Sequence, residues 1–202
     1  SETAPPCGHC TNCLGHDVVA LRPATGDLSR YVQGFIDRDH LVIAPRKRWP
    51  SRELGKSLGD SSTVIKSPNE EGFCLARYGW SGYGELAARS FEQGGFFDPL
   101  LVERSAQVLA PFVARNGIGA VVPVPSANGD RARQHAWFVA QRLGLPMVDA
   151  LAKAPAPPQA EQANAYYQCQ NARDAYTAVP DVELPEAVLL LDDMVDSGWT
   201  LT

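Results

Sequence analysis

The sequence has no apolar run approaching the roughly 20 residues that cross a bilayer, and no signal peptide is recognisable at its start. No membrane partner is therefore expected. Cysteine is scarce and odd in number, five among 202 residues and unevenly spread, so a disulfide framework is not expected and a reducing cytoplasm is. A cationic excess is missing too. The 18 Lys and Arg face 23 Asp and Glu for a formal net charge of -5, which argues against nucleic-acid binding by the whole surface and leaves only local contacts. A nucleotide-binding P-loop is also absent. Leu54, Gly55, Lys56 and Ser57 imitate its end, but Pro50 stands where the first Gly is required.

What is present describes a globular protein. A hydrophobic content of 45% and a charged content of 20% in 202 residues suit one domain plus appendages, with a core that needs no staples. The most informative stretch is 187–202, AVLLLDDMVDSGWTLT. Val188, Leu189, Leu190 and Leu191 form an unbroken apolar run, the pattern of a strand buried on both faces. It stops on two carboxylates, Asp192 and Asp193, followed by Asp196, Ser197, Gly198 and Thr200, residues suited to a tight turn that opens a helix. Such a turn aims backbone N–H groups and hydroxyls at one point, an arrangement that binds anions and most often phosphate. Adjacent acids would oppose a bare phosphate. They make sense beside a sugar phosphate, whose vicinal hydroxyls need strong acceptors.

This combination resembles the signature of type I phosphoribosyltransferases, in which two apolar residues, two acids and a Thr/Ser-Gly turn bind phosphoribosyl pyrophosphate (PRPP). The resemblance implies that Asp192 and Asp193 take the ribose hydroxyls, and that Asp196, Ser197, Gly198, Trp199 and Thr200 wrap the 5′-phosphate. Asp196 occupies the position at which 6-oxopurine transferases carry an Asp that handles a base proton. Trp199 stands where the family's residue is usually small. The implied catalytic set is Asp192, Asp193 and Asp196, with Mg²⁺ accompanying PRPP.

A second motif lies in residues 1–16, where Cys7, Cys10 and Cys13 recur at three-residue intervals and His16 follows at the same interval. Thiolates so spaced can converge on one soft metal ion, with structural Zn²⁺ the default in a reducing compartment and an unmetallated tail the alternative. Three cysteines are one ligand short; an upstream Cys, His16 or His9 are the candidates for the fourth. The wording CGHCTNCLG resembles the close of the zinc-binding region of RecQ-family ATP-dependent DNA helicases, some bacterial members of which carry a phosphoribosyltransferase-like domain after it. Pro45-Arg-Lys-Arg-Trp-Pro50, Glu71-Gly72 and Gly79-Trp80 resemble the linking segment of those proteins. The resemblance implies a parent helicase of DNA repair or recombination whose motor is not in this chain, with DNA reached through that parent. A start in a Cys-rich tract and an end in a phosphate loop lead us to expect a longer protein.

Between the motifs, Leu28, Tyr31, Val32, Phe35 and Ile36 mark an amphipathic helix within 21–38, behind a cap expected at Asp27. A strand is expected at 41–44. The basic run Arg46, Lys47, Arg48 with Trp49 is either a nucleic-acid contact or a solvated strand end, the latter being the simpler reading. Residues 57–71 read as a linker or loop. A strand at 73–77, helices at 85–92 and 99–116, a strand at 120–126 and a helix at 131–143 follow. The loop between the last two, with Pro125, Ser126 and Ala127, would build a second anion pocket, and in the ComF-like transferases it resembles it receives pyrophosphate. Arg131 and Arg133 either add charge there or are solvated on the helix. A strand is expected at 145–150. Gln159, Gln168 and Asn171 match polar residues that recur in the flexible hood of ComF-like and helicase-linked relatives, surface polarity being the equal alternative.

The expected fold is α/β, type I phosphoribosyltransferase-like, with a mainly parallel sheet flanked by helices and its ligand at the carboxyl ends of the strands. The expected divisions are residues 1–16 for the end of the Cys cluster, 17–70 for linking elements and 71–202 for the transferase-like domain. The alternatives are a nucleotide-sensing or docking module without turnover and a free-standing ComF-like transferase. Neither the acceptor base nor the oligomeric state has a portable signature.

Overall fold

A computed structural model describes residues 7–8, 11–15, 25–36, 40–80, 82–126 and 129–202. The chain divides into two compact units, 1–38 and 39–202. The first contains a single turn, α1 (Thr11–Leu14), and the amphipathic helix α2 (Gly26–Ile36). Its cap is Thr25, whose Oγ1 accepts from the Leu28 N–H at 3.5 Å, while Asp27 pairs with Arg30 at 2.7 Å. On α2, Leu28, Tyr31 and Val32 are exposed.

The second unit is mixed α/β. Its elements are β1 (Leu41–Ile43), α3 (Arg52–Ser57), β2 (Gly72–Cys74), α4 (Tyr83–Glu92), α5 (Pro99–Asn116), β3 (Ala120–Pro123), α6 (Arg131–Leu143), β4 (Leu151–Lys153), α7 (Ala165–Ala175), β5 (Tyr176–Ala178) and β6 (Val188–Leu191). The helix boundaries follow local chemistry. Asp98 caps α5 by accepting from the Leu100 N–H at 2.9 Å, and Pro99 occupies the first turn, where its missing N–H costs nothing. Gly117 and Gly144 end α5 and α6 in the left-handed conformation that glycine adopts without strain.

Among the described residues the parallel pair is β3–β6, in the register Ala120↔Val188 to Pro123↔Leu191, extended by a parallel bridge from Val121 to Met147. Two antiparallel pairs, β1–β2 and β4–β5, complete the ladders. Residues 145–150 thus contribute one bridge rather than a full strand, and the ladder forms just beyond, at 151–153. The core lies where α5 and α6 cover the parallel pair: Val102, Val121, Ala136, Val139, Ala140 and Leu191 pack together, with Leu109 and Met147 against them. A separate small cluster joins Leu54, Cys169, Ala172 and Trp199, with Trp49 against it. No helix among the described residues is long and apolar enough to cross a membrane.

Candidate functional site

The carboxyl edge of the parallel pair positions both of the loops singled out in the sequence. Because Pro123 lies opposite Leu191 and the Val124 N–H donates to the Leu191 carbonyl at 2.9 Å, Val124 to Ser126 leaves the sheet beside Asp192. Pro125 is fixed through its carbonyl, which accepts from the Tyr176 hydroxyl at 3.3 Å. Ser126 is half-buried; Ala127 lies outside the described residues.

Asp192 and Asp193 end β6. The Asp193 N–H donates to Asp192 Oδ1 at 2.9 Å, which curls the first carboxylate over the strand end. Burial, then the charge of Asp193, push the Asp192 carboxyl up to about 7, against the opposing pull of the Asp193 N–H hydrogen bond and, less, of Lys153. The folded chain therefore holds a proton that the unfolded chain has released at any pH between the ordinary 3.8 and about 7. Stability from this group is greatest below the lower value, declines as pH rises to the upper one and stays low above it. Asp192→Asn removes the buried charge, so at pH 8 the variant should unfold on the order of 1–3 kcal/mol later than wild type, with the advantage gone near pH 4. Thermal unfolding at both pH values checks this; a pH-independent difference would contradict it.

Asp192 and Asp193 border an open cavity of about 430 Å³ lined by residues of β1, β2, α4, α5 and α6 and of the turns beside them. Its walls are aromatic: Phe73, Tyr78, Trp80, Tyr83, Phe91 and Phe97. Edge-to-face contacts link Tyr78 to Phe91 at 5.7 Å and Phe91 to Phe97 at 5.6 Å. Polar residues also line it, among them Arg77, Ser105 and His135; His135 Nε2 lies 3.3 Å from Ser105 Oγ, and its Nδ1 is buried with no hydrogen-bond partner among the described residues. Burial lowers the His135 pKa to about 4, so the ring is neutral at physiological pH. Sequence reasoning did not find His135. Its signal was a lone imidazole between Ala132 and Val139 on the buried stripe of α6.

Beyond the acids, Asp196 is exposed and Ser197 and Gly198 are half-buried. Gly198 has φ 75°, a left-handed turn that swings the chain into the 3₁₀ turn Trp199–Leu201, where Thr200 is half-buried. Trp199 turns inward rather than standing at the loop mouth. Its ring stacks on Trp49 (centroids 6.4 Å apart, planes at 18°) and lies under the Arg46 guanidinium at 3.9 Å. Arg46 also donates to the Ser197 carbonyl.

Of the three hood candidates Gln159 reaches the same loop, and Gln168 and Asn171 are joined to it through Gln159. Gln159 Nε2 donates to the Gln168 carbonyl at 2.9 Å and to Ser197 Oγ at 3.4 Å, while its Oε1 accepts from Asn171 Nδ2 at 2.7 Å. Gln168 takes part through its backbone. The network is held in register by Asn164, whose side chain accepts from the Tyr166 and Tyr167 N–H groups at the start of α7. The two arginines face elsewhere. Arg131 donates to the Gly95 carbonyl at 3.1 Å with its guanidinium 4.3 Å from the Phe91 ring centre, and Arg133 makes a bidentate pair with Asp149 at 2.9 and 2.7 Å.

In the other unit, Cys7 Sγ and Cys13 Sγ are 3.6 Å apart and both residues are exposed. Cys10, His9 and His16 lie outside the described residues, and among the described ones no group of three or more His, Cys, Asp or Glu side chains converges as a metal site. No protein-family model, curated protein or solved structure matches the chain.

Proposed function

We propose that residues 71–202 are a type I phosphoribosyltransferase-like domain that binds PRPP or a related nucleotide, and that its parent is a cytoplasmic RecQ-like ATP-dependent DNA helicase of repair or recombination. The observation that carries the reading is the pairing of β3 with β6, which sets the Pro125–Ser126 loop and the Asp192–Thr200 loop side by side at one carboxyl edge. The helicase attribution rests on the resemblance of the Cys tract and of the linking segment, Pro45 to Pro50, Glu71-Gly72 and Gly79-Trp80.

In this reading Asp192 and Asp193 accept from the two ribose hydroxyls and hold the sugar so that its anomeric carbon faces the aromatic cavity. The cavity supplies acceptor room for a planar group. Loss of pyrophosphate leaves positive charge on the ribose, which nearby carboxylates stabilise, so catalysis consists chiefly of positioning and charge complementarity. Mg²⁺ would neutralise pyrophosphate oxygens; paired carboxylates suit a hard, oxygen-seeking cation. For the Cys tract, the 3.6 Å sulfur separation is near the roughly 3.8 Å edge of a tetrahedron with 2.3 Å Zn–S bonds, which supports structural Zn²⁺ on Cys7, Cys13 and, by sequence, Cys10.

The burial of Trp199 and the bonds that Arg46 and Gln159 make to Ser197 favour a second reading, a pocket that senses or docks a nucleotide without turnover. Calorimetric titration with PRPP and Mg²⁺, followed by a pyrophosphate-release assay across a panel of nitrogenous bases, separates the two. Saturable binding with release supports the transferase, and binding without release supports the sensor. Absence of binding to PRPP and to a panel of nucleoside monophosphates titrated beside it would dismiss both.

A further inference from the structure

We propose that Arg46, delivered from the segment before α3, is the cation of a phosphate subsite at the 195–202 loop and takes the phosphate of a sugar phosphate. This rests on the reading of that loop as a ligand loop, but it assigns the charge to a residue about 150 positions upstream of the loop (151 residues separate Arg46 from Ser197). A second cavity, of about 370 Å³, lies between the two segments, with Arg46, Asn69, Asp196, Ser197, Gly198 and Thr202 on its walls.

The state of Arg46 is what demands an anion. Its side chain is half-buried, yet none of the ion pairs among the described residues includes it. A guanidinium taken partly out of water without a carboxylate is costly unless something else satisfies it. It carries five N–H donors in a planar fork; the structure engages it with one carbonyl, that of Ser197, and with the face of Trp199. Stacking on the indole fixes the plane of the fork, a preorganised geometry for bidentate contact with phosphate oxygens. Around it stand neutral groups suited to the remaining oxygens, the Asn69 amide and the Ser197 and Thr202 hydroxyls. The exposed Asp196 carboxylate shares the wall and repels a bare, multiply charged anion. The same carboxylate accepts from a hydroxyl, so the chemistry favours a phosphate monoester of a polyol over inorganic phosphate.

The experiment uses ribose 5-phosphate, ribose, inorganic phosphate and a single-stranded oligonucleotide as probes of the full chain. Wild type should bind ribose 5-phosphate more tightly than inorganic phosphate. Arg46→Ala should weaken ribose 5-phosphate about tenfold or more, as expected for loss of a charge-assisted contact, and leave ribose unaffected. Arg46→Lys, which keeps the charge and the folded loop, should recover part of the loss, and Arg48→Ala, on the same segment but exposed, should match wild type. Thermal unfolding without ligand records any loss of fold. Equal weakening of ribose and ribose 5-phosphate would make Arg46 a strut and overturn the proposal, as would an effect confined to the oligonucleotide or a wild type that ignores ribose 5-phosphate. PRPP binding that survives Arg46→Ala overturns this inference and leaves the transferase reading standing. Arg46-dependent binding of ribose 5-phosphate in a chain that ignores PRPP does the reverse.

Discussion

Replacing Asp192 and Asp193 together by Asn should weaken PRPP binding a hundredfold or more, at about 1.5–3 kcal/mol for each charge-assisted hydrogen bond lost. Asparagine keeps the size and one acceptor oxygen but not the charge that makes a carboxylate a strong partner for a hydroxyl. The measurement belongs at pH 8, where Asp192, with its pKa pushed up to about 7, is ionised. At pH 6 the wild-type group is already mostly protonated, so the penalty of Asp192→Asn alone should shrink there. Inorganic phosphate should respond with the opposite sign, since removing two nearby negative charges leaves its binding unchanged or improves it. Equal weakening of both ligands would mean a collapsed loop, and an unaltered PRPP affinity would end the sugar-phosphate reading of these acids. If the acids hold the ribose as proposed, the same substitution should gain stability at pH 8 while losing ligand, because the charge proposed to serve binding is the one whose burial costs stability.

Much of the framework was legible because it is written locally. The apolar pattern located α2, α4, α5 and α6, though the cap of α2 is Thr25 rather than the expected Asp27, and the unbroken apolar run located β6. What escaped was determined by contacts distant in sequence. Helix α3, capped by Ser51 Oγ on the Leu54 N–H, hid inside a stretch read as an imitation P-loop. Residues 145–150 are apolar enough for a strand, but they meet β3 only around Val121, through the Pro146 carbonyl and the Val148 N–H, and the chain beyond, Leu151 to Lys153, pairs with β5 instead. The site shows the same division. The acids and hydroxyls of 192–200 are contiguous and could be read directly, as could the polar spacing of Gln159, Gln168 and Asn171. Arg46 looked like a solvated strand end, and the aromatic cavity draws its rings from β2, α4 and the turns beside them, so no one stretch of sequence displays it.

The inward turn of Trp199 carries the other large expected effect. Trp199 is 5% exposed, packed with Leu54, Cys169 and Ala172, and stacked on Trp49, so it fastens the 192–202 loop to α3 and α7. Trp199→Ala should cost about 3–5 kcal/mol, the usual range for emptying a buried aromatic site, which is a large share of the roughly 5–15 kcal/mol that holds a domain folded. Trp199→Phe should cost far less. The smaller ring keeps part of the stack, and it removes an indole N–H that is buried without a partner among the described residues, whose desolvation is a standing penalty. Urea unfolding should show the midpoint falling with an unchanged slope for the Ala variant, while Trp137→Ala, at a residue 46% exposed, serves as the comparison. Equal losses at the two tryptophans would mean that Trp199 does not anchor the loop. Given an anchored loop, the two functional readings part in the Trp199→Phe protein, which stays folded but is held less tightly. A transferase loop that must yield to admit PRPP should bind it as well or better after this loosening, whereas a rigid sensing pocket, whose shape depends on the stack, should bind it worse.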